Sequence, residues 1–443
     1  MAIRGSPTYF VALVALLALP ALALDVALTY QTAGVDREFF PYGGNRVELT
    51  LDAPPGAWKL PELVSQTPVY GLPELGDRKH LVLLDRKAKS DKFFTRLYFD
   101  KNANSDLTDD PVIDGRYLED QQRPEYLNAD FDPVDMTVVA GGAELPYQFT
   151  PNLYCFKVDG NKEVTEEPNR QNLHLYFSTR CAYSGTLALD GASYAIWLGD
   201  RDGNARFNDS FSIRELERPS DRVYAQGDSF YLVKSDEKLS HEYGQTLGRY
   251  LVVGDKVFEV AIDIAARKLT LTPVTESLAT LSWPADLAGL EVYAEDKTAV
   301  MFYHPGGKAP LPAGTYRLLS YRLYTNDEQG DRWQLVAAGT KKGTPITAEA
   351  GNTVKLALGE PYRPVVQIPD YARDMLNSGM DQVQLSLEVR GAGEEVLGDL
   401  RRIAGQGTKI ALSSKDNQRP AEPTYKIVDT EGEVVSSGRF EYG

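Results

Sequence analysis

Two acidic stretches of this 443-residue chain carry the side chains best suited to chemistry with a cation: Asp100-Lys-Asn-Ala-Asn-Ser-Asp-Leu-Thr-Asp109 and Asp200-Arg-Asp-Gly-Asn-Ala-Arg-Phe-Asn-Asp209. Each places an Asp or Asn at its first, third and fifth positions, an apolar residue at the eighth and an Asp at the tenth. Oxygen side chains on alternate residues of a tight loop can converge on one point, which suits a hard cation taking about six to eight oxygen ligands. The same residues have a plainer use. Asp, Asn and Gly favour turns without any ion, because their side chains mimic backbone turns and tolerate left-handed geometry. Two copies in one register, each at the end of a strand-like run, favour the cation.

Other reactive groupings are scarce. His80, His174, His241 and His304 are scattered and form no His-x-x-x-His pair, so a zinc protease is unsupported. There is no Gly-x-Ser-x-Gly elbow, and His304-Pro-Gly-Gly307 reads as a turn. The two carboxylates of a glycosidase meet only in space, so sequence spacing cannot reveal them. Cys155 and Cys181 are the two cysteines, each in a strand-like run, with the polar stretch Asp159 to Asn172 between them. In an oxidising compartment they are expected to pair. A bridge would close a loop of roughly 25 residues, worth on the order of 3 kcal/mol in the chain-entropy picture. The rival is a thiol nucleophile with His174 as its base.

The chain's start argues for that compartment. Arg4 is followed by the uncharged apolar run Phe10 to Leu19 and then Pro20-Ala-Leu-Ala23, the pattern of a secretory signal, 1–23, cut after Ala23. The apolar run is too short to span a membrane comfortably, and no other stretch approaches twenty apolar residues. The net charge of −16 becomes −17 once Arg4 is removed. Such an excess of carboxylates opposes binding to nucleic acid, which needs clustered Lys and Arg. It suits divalent cations and a solvated surface.

The elements that must position the loops read as strands. His80-Leu-Val-Leu-Leu84, Thr95-Arg-Leu-Tyr-Phe99, Tyr194-Ala-Ile-Trp-Leu198, Val257-Phe-Glu-Val-Ala-Ile262 and Lys268-Leu-Thr-Leu-Thr272 are short and rich in β-formers, with turn residues between them. Helical turns are expected only at Tyr371 to Leu376 and around Leu287 to Leu290. The chain is therefore read as all-β and multi-domain. Residues 24–273 form a meander or sandwich region carrying both loops, divisible near 150. A sandwich follows at 274–360. Pro361, Pro364 and Pro369 mark a linker, and 366–443 is a closing sandwich of about 80 residues, a fitting size. Gly142, Gly191 and Gly254 each precede an aromatic strand, which suggests repeated hairpins.

The acidic stretches resemble the calcium loops of dockerins, EF-hands and thrombospondin type 3 repeats. The chain is also similar to exported β-rich bacterial proteins with such loops at strand ends. Pro-Ala-Gly-Thr-Tyr316 resembles a turn of transthyretin-like and immunoglobulin-like modules, which implies two sandwiches of that kind after residue 273. The loop resemblance implies calcium as a structural cofactor. Its ligands would be Asp100, Asn102, Asn104 and Asp109, with Asp106 by side chain or backbone, and then Asp200, Asp202, Asn204 and Asp209, with Arg206 offering its carbonyl. Leu107 and Phe207 would plug each loop into the core. The sixth position is Ser105 or Ala205 where an EF-hand has Gly, and the twelfth is Pro111 or Phe211 where it has Glu. Strands precede both loops, so a helix-swinging switch is not implied, and the expected affinity is about 10⁻⁴ to 10⁻³ M. The function expected is a non-catalytic secreted or cell-surface protein with a structural, adhesive or binding role, its partners surface glycans or other exported proteins. A carbohydrate-binding protein with a tyrosine-lined face, since Tyr outnumbers Phe 25 to 16, and a glycoside hydrolase with dispersed carboxylates are the alternatives.

Overall fold

The computed structural model describes residues 22–442 except 34–39, 120–125, 158–163, 165–168, 215–222, 241–242, 276, 297 and 381. The expected signal and His241 fall essentially outside these residues. The described chain is all-β, with one α-helix, Asp370–Asn377, where a helical turn was expected. The other expected turn is a strand, Leu287–Ala294. Its apolar residues pair across two antiparallel neighbours, and that pairing outweighs a weak local helical pattern.

Period-two burial builds the first unit. Along Ala143–Phe156, buried and open residues alternate for most of the strand, as a sheet with one face in the core requires. The sheet runs Gly44–Val47, Leu173–Thr179, Ala143–Phe156, Tyr126–Phe131, Ile113–Glu119, Arg96–Phe99, Val82–Asp85, Val69–Gly71 and Leu49–Thr50. Its two end strands are separated in the chain only by Glu48, so the sheet closes into a barrel. A barrel of this size is filled by its own side chains. Here Phe99, Phe149 and Phe177 meet at centroid distances of 4.3 to 5.7 Å.

A second closed arrangement follows. One sheet runs Thr29–Thr32, Cys181–Leu189, Ala192–Gly199, Ser229–Lys234 and Gly244–Thr246, and another runs Leu24–Ala27, Lys268–Val274, Lys256–Asp263 and Tyr250–Val253. Chain continuity joins them at both ends, through Leu28 and through Leu247 to Arg249. The expected hairpins are present. Gly141 and Gly142, and Asp190 and Gly191, all have positive φ, which matches the right-handed twist of the strands they join.

Beyond residue 274, Leu278–Ser282, Lys308–Pro312 and Thr353–Lys355 form a small sheet. It packs through Leu281, Trp283 and Leu311 on a larger sheet containing Leu287–Ala294, Gly314–Asn326 and Arg332–Ala338. The larger sheet continues into Val396–Ala404, Ser386–Arg390 and Arg363–Gln367, so hydrogen bonding runs on past the proline-rich segment. Thr424–Val428 and Val434–Arg439 close the chain as a hairpin.

The expected disulfide is absent: both cysteines are free and buried. Cys155 lies opposite Leu173. The Cys181 Sγ sits 3.3 Å from the backbone N of Gln148, on the same strand as Cys155 but seven positions away. At about 3.3 Å per residue that is roughly 23 Å, whereas a bridge needs Cα atoms within about 7 Å. His174 and Cys155 point to opposite sides of the barrel wall, since Tyr154 rather than Cys155 is His174's direct neighbour. The thiol–base pair is not assembled either.

Candidate metal centre

The two acidic loops follow Arg96–Phe99 and Ala192–Gly199, one in each barrel. Their backbones correspond. Ala103 and Ser105 in the first, and Gly203 and Ala205 in the second, all have φ between 55° and 69°. The sixth position therefore adopts the left-handed conformation that glycine supplies in an EF-hand, here on Ser and Ala. Both loops also turn around their first Asp. Asp100 accepts the backbone N–H groups of Asn104 and Ser105, each at 3.0 Å. Asp200 accepts those of Gly203, Asn204 and Ala205 at 2.8, 3.2 and 2.8 Å. The plugs are seated as expected. Leu107 is buried among Tyr70, Leu81, Leu83 and Tyr98. Phe207 meets Tyr183 edge-on at 5.0 Å.

Past this shared scaffold the loops differ. In the first, Asp106 is taken by Lys59 at 2.7 Å, and that ammonium, with Thr108, holds its carboxyl down at about 2. Asn104 donates to Asp109 at 2.8 Å. Asn102 accepts the N–H of Asn104. His80, buried beneath, bonds the Asp100 carbonyl through Nδ1 at 2.8 Å. The first loop's oxygens are thus largely satisfied by its own donors and one lysine.

In the second loop three carboxylates meet. Asp200, Asp202 and Asp228 each bring an oxygen within 4.8 Å of the others, and among the described residues this is the one such group. Asp200 and Asp228 are buried; Asp202 is the exposed member. Asn204 ties the loop across itself, donating to Asp209 at 2.6 Å and to Asp202 at 3.2 Å. Arg206 does not neutralise the cluster. Its guanidinium reaches away to the Gly76 carbonyl at 2.7 Å and to Glu74 and Asp77 at 3.4 Å.

Burial and mutual repulsion therefore dominate. Burial pushes the Asp200 carboxyl up to about 8, helped by Asp202 and opposed by the hydroxyl of Tyr147, which donates to it at 2.8 Å. Burial and then Asp200 push Asp228 up to about 9. Asp202, although the residue is exposed, has its carboxyl turned into the cluster, and that partial desolvation, then Asp209, raises its pKa. Clustered carboxylates with no basic partner either hold protons or share a cation. An all-oxygen donor set of this kind fits calcium, with Asp200, Asp202 and Asp228 as the side chains that would hold it.

Asp228 was invisible in the loop pattern. It comes from the residue before Ser229–Lys234, the strand that pairs with the one leading into the loop. Its oxygens accept the N–H groups of Arg201 at 3.1 Å and Asp209 at 2.9 Å. Asp110 plays the matching part in the first loop, accepting the N–H of Lys101 at 3.0 Å. The sequence signal was slight: the turn pair Gly227-Asp228 before an apolar strand. No protein family's model matches this chain, and neither curated proteins nor solved structures give a match.

Proposed function

We propose that this is a non-catalytic exported β-protein in which calcium, held at the second acidic loop, braces the join between two barrels in a structural or binding role outside the cytoplasm. One observation carries the reading: the convergence of Asp200, Asp202 and Asp228, none of which has an ion pair to Lys, Arg or His among the described residues. The loop's position supports it. Gly44 N donates to the Arg201 carbonyl at 3.0 Å and Gly76 N to the Asn204 carbonyl at 2.7 Å, so the loop of one barrel is bonded to the wall and a hairpin of the other. An ion there would stiffen both. Calcium suits a flexible carboxylate set better than magnesium, which demands tight octahedral geometry. The export element rests on the apolar run behind Arg4. The non-catalytic element rests on the missing motifs and on the packing roles of the histidines: His80 under the first loop and His304 against Phe302.

The test is terbium luminescence sensitised by the protein's aromatic residues, with terbium standing in for calcium. Emission that calcium displaces, and that Asp202→Asn weakens by about tenfold in affinity, supports the site. Emission unchanged by that substitution, or none at all, refutes it.

A further inference from the structure

The outer wall of the first barrel carries an aromatic surface separate from the acidic loops. Strand alternation sends Leu153, Cys155, Leu173 and Leu175 inward and Tyr154, His174 and Tyr176 outward, where they stay half-exposed. Register lines them up. Arg46, Tyr176 and Asn152 form one row across three strands, and His174, Tyr154 and Asn128 form the next. The rings of Tyr154 and Tyr176 are parallel within 10°, with centroids 5.7 Å apart, and His174 lies 4.9 Å from Tyr154. The result is a ladder of rings edged by polar groups.

The polar edge is rich in donors. An Arg46 Nη donates to His174 Nδ1 at 2.6 Å. Nδ1 is then the acceptor, so the neutral ring carries its proton on Nε2. Burial and Arg46 both lower the pKa of His174, which keeps it neutral at pH 7. Arg46 has no carboxylate within 4 Å among the described residues. Arg116 stands opposite Asp130 at the far end of the first row, and Arg46 is the cation at the near end, on the wall of a chain of net charge −16. Arg46 itself lines a groove of about 570 Å³ together with Glu48 and Asp52, so an anion reaches its guanidinium from the Tyr176 side rather than through that groove.

We propose that this face binds a short saccharide chain bearing a carboxylate. Sugar C–H faces pack on Tyr154 and Tyr176, because apolar ring faces and aromatic rings exclude water from each other. The carboxylate of one acidic sugar meets Arg46 in a charge-assisted pair. Asn128 and the Nε2–H of His174 bond hydroxyl groups. Glu48 and Asp52, in the groove beside Arg46, keep the acidic sugar on the Tyr176 side of the guanidinium, and the chain runs over the tyrosines. This inference stands apart from the calcium reading, so the failure of either leaves the other intact.

Isothermal titration of the full chain with short oligogalacturonides, against neutral dextran oligosaccharides, tests it. Binding of the uronate ligand is expected. Tyr154→Ala with Tyr176→Ala should weaken it by about tenfold or more. Arg46→Gln should weaken it roughly fivefold and flatten its salt dependence, and unchanged melting temperatures would show that both variants fold. No uronate binding, binding indifferent to the tyrosine substitutions, or equal binding of dextran that ignores Arg46→Gln would each overturn the proposal. So would a chain-to-chain dimer that buries these rings and competes with no sugar.

Discussion

At the residue scale, the loops hold both strain and charge in forms that single substitutions can read. Ser105 sits at φ +69°, where a side chain costs about 1 kcal/mol and glycine costs little. Ser105→Gly should therefore stabilise the protein by roughly 0.5 to 1 kcal/mol, measured by denaturant unfolding; a loss of stability would contradict the left-handed geometry. The carboxylates set a pH dependence. Burial and mutual repulsion push the Asp200 and Asp228 carboxyls up to about 8 and about 9 when folded without an ion, against about 3.9 unfolded. Their folded pKa values are raised, so the folded state holds more protons, and ion-free stability falls as pH rises from about 4 to 9. Calcium binds the deprotonated form, so the rise in melting temperature on adding calcium should grow from pH 5 to pH 8. A constant rise would count against these ligands. The cysteines behave as buried apolar residues. Burial pushes Cys155 up to about 11 and Cys181 up to about 12. A thiol reagent at pH 8 should find neither in the native protein and both after unreduced denaturation. Much at this scale was legible. The alternating oxygens of 100–109 and 200–209 announced two matching loops, and Leu107 and Phe207 their plugs. Asp228 and Asp110 were not legible, because each meets its loop through folded geometry rather than through the one-three-five spacing.

At the element scale, strand alternation was readable and strand partners were not. Val257-Phe-Glu-Val-Ala-Ile262 looked like a strand and is one. Nothing local said that Gly44–Val47 and Leu49–Thr50 would close the same barrel from opposite sides. The cysteines mark the same limit: both runs were strands, but register put the thiols far apart. Leu287–Leu290 misled because four residues of helical spacing carry less weight than two ladders of sheet hydrogen bonds. Phe207 is the element-scale joint, fixing the second loop between Tyr147 and Tyr183. Phe207→Ala should cost about 3 to 5 kcal/mol and weaken terbium binding together with stability. A variant that loses stability but keeps full terbium affinity would mean that the plug does not set the loop's geometry.

At the scale of the whole molecule, two barrels share one continuous apolar core and are also bonded through a loop that gathers negative charge, and a sandwich extends from them. The punctuated β-pattern foreshadowed the fold class, and the acidic composition foreshadowed the gathered carboxylates. Neither indicated that the second loop would bond to the first barrel, because a contact between units depends on both their surfaces. If calcium braces that contact, its effect reaches the cooperative unfolding of both barrels. The most direct measurement is the melting temperature at pH 7.5 in chelator and in 10 mM calcium, for the natural chain and for Asp228→Asn. With dissociation constants of about 10⁻⁴ to 10⁻³ M, the natural chain should gain roughly 3 to 10 °C, and Asp228→Asn should gain little. Equal melting of the natural chain in both conditions would contradict a calcium-braced join.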